Sequence, residues 1–511
     1  MTNRAYLQLE AENKRIDAVG GALSVLHWDR AVMMPPGGAD ARADQMAALQ
    51  LIVHEMLTAP ARADLIAEAR ARAGALDDWQ EANLREMERA LVRARARPAR
   101  LVEALARARA QTEMAWRSAR AADDFAAVEP KLAALLALVR EEAGVLGEAL
   151  GLDPYDALLD AYDPGLRADD FLALFDTLSR ELPPLIEDVM ERQANEGPPL
   201  PLSGPFAVAL QEQLGRALMA ALGFDFAHGR LDVSHHPFTG GVPEDTRITT
   251  RYRDDDFIQA LMAVIHETGH ALYERGLPAH WRGQPVGRAR GMVLHESQSL
   301  LFEMQAARSP AFVNALASMA ARTFGGDGPE WQAENLMRHY HRVAREPIRV
   351  DADEVTYPLH VIQRTRLERA MIAGDLAVAD LPDAWNEAMR KLLGVAPRND
   401  AEGCLQDIHW YSGAFGYFPT YTLGALAAAQ LFRAACGQRP EIEAELAQGR
   451  AAALRDWAGS QIHARASRYT TGETIEAASG SPLGTAIFLV HLRQRYLGGD
   501  DSALAGAPIG H

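Results

Sequence analysis

Between Asp254 and Gly276 the chain reads DDDFIQALMAVIHETGHALYERG, and no other stretch of its 511 residues narrows the possible folds as far. Acids precede an apolar stripe at helical spacing and a glycine closes it. This predicts a helix with carboxylates at its positive end and a stop at Gly276. Each residue of a helix turns about 100° around the axis, so His266 and His270 stand roughly 40° apart and Glu267 falls in the same sector. Three polar groups therefore face one point from an otherwise apolar helix. Two imidazoles at this spacing are able to bind one Zn2+ through ring nitrogens, with the glutamate just outside, where it takes the proton of the bound water. The bland alternative is a pair of core histidines in a helical scaffold.

A catalytic zinc needs a third protein ligand and an open position, and the third is usually His, Asp or Glu on a neighbouring element. The stretch GMVLHESQSLLFEMQ supplies Glu296 on a second strongly helical segment. Twenty-five residues separate it from His270, enough for a loop rich in Gly and Pro and a return helix packed antiparallel on the first. His295 lies about 100° from Glu296 on that helix, so both cannot point at one ion, and Glu296 is the expected ligand. No Gly-x-Ser-x-Gly, Gly-x-x-x-x-Gly-Lys or Gly-x-Gly-x-x-Gly with a following acid offers a rival chemistry.

The rest of the chain predicts a helical setting. From residue 40 to about 150 it is rich in Ala, Leu, Arg and Glu with apolar positions at helical spacing, which reads as packed antiparallel helices. Breaks are expected at MMPPGG (33 to 38), DPYD (153 to 156), NEGPPLPLSGP (195 to 205) and FGGDGPE (324 to 330). The one convincing β signal is GRLDVSHHPFTGGVPEDTRITTRY (229 to 252), where alternating residues flank an expected Gly-Gly turn. The fold class expected is mainly α with a small sheet just before the histidine helix. The length predicts two lobes, about 1–200 and about 201–511.

Charge and cysteine usage exclude several functions. A net charge of −17 repels nucleic acid over most of the surface. Lysine occurs only at Lys14, Lys131 and Lys391, and cysteine only at Cys404 and Cys436, too few for a disulfide framework. The N-terminal stretch lacks a secretory apolar run, and no run of about 18 apolar residues occurs. The expectation is a cytoplasmic protein with no nucleic-acid or membrane partner.

Six blocks occur in order: HPF (236 to 238), DTRIT (245 to 249), HETGH (266 to 270), HESQ (295 to 298), IRVDADEVTY (348 to 357) and GCLQDIHW (403 to 410). With LHWDRAVMMPPGG and GSPLGTAIFLVHLRQRY near the two ends, the chain resembles the carboxypeptidase Taq family of metallocarboxypeptidases over nearly its whole length. The resemblance implies a single neurolysin-like helical saddle with a deep central groove, and typically a homodimer. It implies removal of single C-terminal residues from peptides with broad preference, zinc as the metal, and cobalt often accepted in its place. A metallo-endopeptidase using the same helix pair is the nearest rival.

Within that frame the remaining site residues take roles. Glu267 is the general base that passes the water proton to the departing nitrogen. An exopeptidase must bind the terminal carboxylate, for which the arginine fork suits. Arg349 in IRVDAD and Arg247 in DTRIT are the candidates. In the aromatic stretch GCLQDIHWYSGAFGYFPTY, His409, Tyr411, Tyr417 and Tyr421 are possible donors to the oxyanion, with His409 and Tyr421 favoured. Glu303 and Asp407 are candidates to accept from a ligand histidine's other ring nitrogen, although a solvated or ion-paired acid is the plainer reading of both. The resemblance places His236 of HPF at one end of the groove, which closure would favour trimming over internal cutting.

Overall fold

The structure is a computed structural model that describes residues 3–498. It is mainly helical with one small sheet, as expected. Asn3 opens the first helix, Arg4–Val32, by accepting from the Tyr6 backbone N–H at 3.2 Å. The Ala- and Leu-rich stretch forms Ala39–Thr58, Pro60–Ala71, Asp78–Ala96, Ala99–Ala122 and Phe125–Leu150. Asp77 and Gln80 cap the third of these reciprocally, which satisfies donors that a helix start leaves open. At DPYD, Asp153 caps the helix Pro154–Tyr162, its carboxylate accepting from the Tyr155 N–H at 2.9 Å. The 195 to 205 break separates Ala168–Glu196 from Val208–Leu222, and Gly325 ends Pro310–Phe324.

One continuous apolar core runs from Leu101 and Leu105 through Phe171, Phe302 and Leu359 to Tyr496, so it crosses residue 200 without a break. A separate small cluster of Tyr6, Leu9, Ile66, Leu84 and Met87 holds the N-terminal helices together. No helix among the described residues is long and apolar enough to cross a membrane.

The sheet has three strands, β1 (Gly229–Val233), β2 (Phe238–Val242) and β3 (Asp245–Thr250), with β3 in the middle. β1 runs parallel to β3 and β2 antiparallel to it. Here one expectation is corrected: Gly240 and Gly241 do not form a turn but lie inside β2, opposite Arg247 and Thr246. Gly241 has φ +88°, and a Cβ there would meet the Asp245 carbonyl oxygen at 2.0 Å. The glycine pair lets the strand bend tightly into the Pro243–Glu244 reversal, which is a strand use of glycine that the same dipeptide hides in sequence. Ile248 of β3 and Leu231 of β1 pack with Val264 and Ala271 of the histidine helix. The sheet therefore lies directly on that helix.

Candidate active site

The histidine helix spans Ile258–Gly276, and Asp256 caps it by accepting from the N–H of Ile258 at 2.8 Å and of Gln259 at 3.3 Å. The return helix is Met292–Leu300, continued by a π-helical turn over Leu301–Ala307. Two glycines set the spacing. A Cβ on Gly269, between Glu267 and His270, would fall 2.6 Å from the Gln298 carbonyl oxygen. A Cβ on Gly424, in the helix Pro419–Gln438, would fall 2.8 Å from Cβ of Glu296. Both close approaches need a residue without a side chain, and together they press three helices onto the same carboxylate.

His266, His270 and Glu296 each offer a ligand atom within 4.8 Å of the other two. Glu296 Oε2 stands 4.0 Å from His266 Nε2 and 3.7 Å from His270 Nε2. Bonds of about 2.0–2.2 Å at tetrahedral angles put zinc ligands roughly 3.3–3.6 Å apart, so a small closure of side chains suffices. The electrostatics agree with a cation here. Burial opposes charge on His266, yet Glu303, Glu296 and Glu267 outweigh it and push its pKa up to about 10. Burial also drives His270 well below the usual imidazole range, aided by His295 and His266. Two imidazoles and a carboxylate converging on one point form a donor set that fits a divalent cation.

Behind these residues stand their supports. Glu303, in the π-helical turn, meets His266 Nδ1 at 2.9 Å and accepts from Arg308 Nη2 at 2.5 Å. Burial alone would raise the Glu303 pKa, but Arg308 and His266 hold it below the ordinary carboxylate range. Glu303 thus meets both of its sequence readings, as an ion-paired acid and as the partner of a candidate ligand histidine. His295 stacks on His270 at 4.4 Å between ring centroids and meets Glu274 at 3.0 Å. Glu267 is buried, and its Oε2 accepts from Thr239 Oγ1 of β2 at 2.6 Å. Burial raises the Glu267 pKa, while His266 and Thr239 oppose the rise.

Arg349 is 6% exposed and lies in a second cluster. Its Nε and Nη2 donate to Asp407 Oδ1 at 3.1 and 2.7 Å, and its Nη1 donates to the Tyr357 hydroxyl at 2.9 Å. The fully buried Arg364 donates to the other Asp407 oxygen at 2.6 Å and to Gln406 at 2.7 Å. Asp407 therefore serves two arginines and no ligand histidine, the ion-paired reading of that residue. Burial raises the Glu296 pKa, and His266 chiefly, with His295 and Arg349 behind it, opposes the rise. The guanidinium lies 5.2 Å from the Tyr421 ring centroid. His409 Nε2 is 3.3 Å from the Tyr421 hydroxyl, and burial lowers the His409 pKa to about 4, so the ring is neutral near pH 7. Tyr417 sits 5.1 Å from the Tyr421 ring, and Tyr411 is buried with its hydroxyl on the Cys404 carbonyl at 3.0 Å.

The other two expected residues lie apart from these contacts. Arg247 is paired with Asp245 at 2.5 Å and its guanidinium covers Trp28 at 4.4 Å. Strand alternation puts it on the opposite face from the buried Ile248. His236 is exposed in the turn before β2, with its carbonyl accepting from Ser234 Oγ at 2.5 Å. Sequence reasoning missed Thr239, Arg308, Tyr357 and Arg364. Thr239 directly follows HPF and Tyr357 closes IRVDADEVTY, so adjacency to a block was the available signal; Arg308 and Arg364 had none.

A helix-borne His-Glu-x-x-His whose glutamate is buried, joined by a glutamate from the return helix, points to the class: a metallopeptidase-type hydrolase. Residues 8–496 match the family described as Carboxypeptidase Taq (M32) metallopeptidase, and the chain belongs to it. It is 39% identical to thermostable carboxypeptidase 1 of Thermus thermophilus, covering 97% of this chain and 99% of the relative. It is 31% identical to carboxypeptidase 1 of Bacillus subtilis, covering 94% and 96%. Among solved structures, metallocarboxypeptidase 1 of Trypanosoma cruzi superposes with a TM-score of 0.95 at 40% identity over 97% of this chain and 100% of that one. The M32 carboxypeptidase of Deinococcus radiodurans gives 0.91 at 36% identity over 96% and 98%.

Proposed function

We propose that this enzyme is a zinc carboxypeptidase that removes single residues from the free C-terminus of peptides, with broad side-chain preference. The observation that carries the reading is the convergence of His266, His270 and Glu296, with Arg349 packed on Tyr421 of the helix whose Gly424 lies against Glu296. A zinc ion held by those three residues supplies a Lewis acid and lowers the pKa of bound water to about 7. Glu267 takes the proton of the attacking water and delivers it to the departing amine. Arg349 binds the terminal carboxylate. Of the five N–H groups an arginine carries, three are engaged, one to Tyr357 and two to Asp407. Two find no partner among the described residues and are left for a two-pronged grip on the substrate.

His409 and Tyr421, joined to each other beside Arg349, donate to the oxyanion of the tetrahedral intermediate. Arg247 is the second carboxylate-binding candidate; to serve, it must exchange Asp245 for the substrate. His236 closes one end of the binding groove from its exposed turn. The continuous core supports a single domain with lobes of about 1–200 and about 201–511. A cytoplasmic homodimer that also accepts cobalt completes the reading.

The test pairs one peptide bearing a free C-terminus with its amidated twin, incubated with the zinc-loaded enzyme and followed by mass spectrometry. A one-residue ladder from the free peptide alone is expected, and equal cleavage of both overturns the exopeptidase reading. Metal analysis should find one zinc per chain in both wild type and Glu267→Gln, with hydrolysis lost in the variant. Absence of stoichiometric metal in the wild type would sink the site.

A further inference from the structure

Glu267 carries one strong protein contact to its carboxylate, and it comes from the sheet. Thr239 Oγ1 lies 2.6 Å from Glu267 Oε2 and 3.0 Å from the Glu267 backbone carbonyl oxygen. A threonine hydroxyl has one proton to give, and the shorter, charge-assisted contact takes it. Oε1 receives no hydrogen bond from any described residue, so it remains the oxygen available for proton transfer.

We infer that Thr239 is the positioning residue of Glu267, selecting by its hydroxyl the one carboxylate orientation that keeps Oε2 occupied and Oε1 free. This rests on the reading of Glu267 as the general base. A glutamate has three side-chain torsions, and burial alone does not choose among them. The hydroxyl does so because its own strand is fixed. The Phe238 N–H donates to Thr249 Oγ1 at 3.0 Å at one end of β2, and the Gly241 carbonyl accepts from Ser24 Oγ of the first helix at 2.7 Å at the other. Between them Thr239 pairs with Ile248, which is fully buried against the histidine helix. A catalytic group is held best by partners that are themselves locked on regular elements. Thr239 meets that condition without touching any candidate metal ligand's side chain in the described contacts.

The experiment compares Thr239→Val, which keeps the shape and removes the hydroxyl, with Thr239→Ser, which keeps the hydroxyl, both as zinc-loaded full-length enzyme. Thr239→Val should lose roughly tenfold to a hundredfold in kcat, the range seen when supporting contacts are removed, with KM unchanged. A kcat loss at constant KM marks an interaction that matters to the transition state and not to substrate binding. Zinc affinity, measured by chelator competition, should stay within about twofold of wild type, and Thr239→Ser should retain kcat within about threefold. The inference is overturned if Thr239→Val keeps wild-type kcat, if its kcat and zinc affinity fall together, or if Thr239→Ser fails as badly. Glu267→Gln separates the two levels. Retained hydrolysis there defeats the general-base reading and this inference with it, whereas lost hydrolysis beside a fully active Thr239→Val defeats the inference alone.

Discussion

Two largely buried carboxylates, Glu303 and Asp407, occupy the same place in two parts of the site and teach different lessons. Each stands between a rear arginine and a front functional group: Arg308, Glu303 and His266 in one, Arg364, Asp407 and Arg349 in the other. Both are held below the ordinary carboxylate range by their arginines. The front groups differ in kind. His266 is an imidazole that would be neutral with a metal on Nε2, so on the proposed reading Glu303 mainly orients it. Arg349 keeps its charge always, so Asp407 must neutralise one of two arginines in a nearly closed interior. A third carboxylate, the fully buried Glu368, completes the contrast, because among the described residues no arginine pairs with it. It accepts from the Tyr155 hydroxyl at 2.5 Å and Trp410 Nε1 at 3.1 Å, and burial pushes its pKa up to about 7.

The comparison breaks first at Asp407. In Asp407→Asn two buried guanidiniums lose their anion, and breaking a buried pair in this way costs about 3–5 kcal/mol. Urea unfolding should show that loss. Glu303→Gln removes one anion from Arg308, which still feels the charge of Glu354, and leaves His266 an amide oxygen to meet, so its loss of stability should be clearly smaller. Equal losses would show that the two carboxylates do the same work.

Glu368 sharpens the contrast through pH. Its folded pKa of about 7 exceeds the ordinary 4.5, so between those values the folded chain holds a proton that the unfolded chain has released. Its contribution is complete below about 4.5 and lost as pH rises through about 7, and the difference of roughly 2.5 units corresponds to about 3 kcal/mol. Unfolding curves from pH 4.5 to 7.5 should therefore show a falling component in wild type that Glu368→Gln lacks. A component that rises with pH would mean the carboxylate is charged like the other two.

How much of this was legible follows from how far each interaction reaches along the chain. His266, Glu267 and His270 lie within one helical turn, so 3.6-residue periodicity exposes them, and Glu296 follows on the next helix. The mainly α fold and the small sheet were legible for the same reason, since both write their period into adjacent residues. Thr239 reaches across 28 positions to Glu267, and Asp407 across 58 to Arg349 and 43 to Arg364. Contacts of that kind leave no local pattern. The Gly-Gly pair of β2 failed in the opposite way: its local pattern was strong but served two geometries, and only the close Asp245 carbonyl decides between them.

Metal affinity separates Glu303 from Asp407 next. Glu303→Gln should weaken zinc roughly tenfold to a hundredfold, the range for a second partner of a ligand histidine. Asp407→Asn, whose hydrogen bonds among the described residues go to Arg349 and Arg364, should leave it within about threefold. Chelator competition measures both, and a zinc loss at Asp407 equal to that at Glu303 would merge the two clusters into one.

The smallest expected effect tests what kind of charge Asp407 holds in place. Arg349→Lys keeps the cation but replaces a planar fork by a single rotating ammonium, so it should lose one of the two bonds to Asp407 and the two-pronged grip on a carboxylate. One lost charge-assisted bond is worth about 1.5 kcal/mol, or about tenfold in KM for a peptide with a free C-terminus. Because the same carboxylate is bound in ground and transition states, kcat should hardly move. A fall in kcat at constant KM would instead place Arg349 beside the reacting carbonyl, so that Asp407 would support the chemistry as Glu303 does and the distinction between the two clusters would disappear.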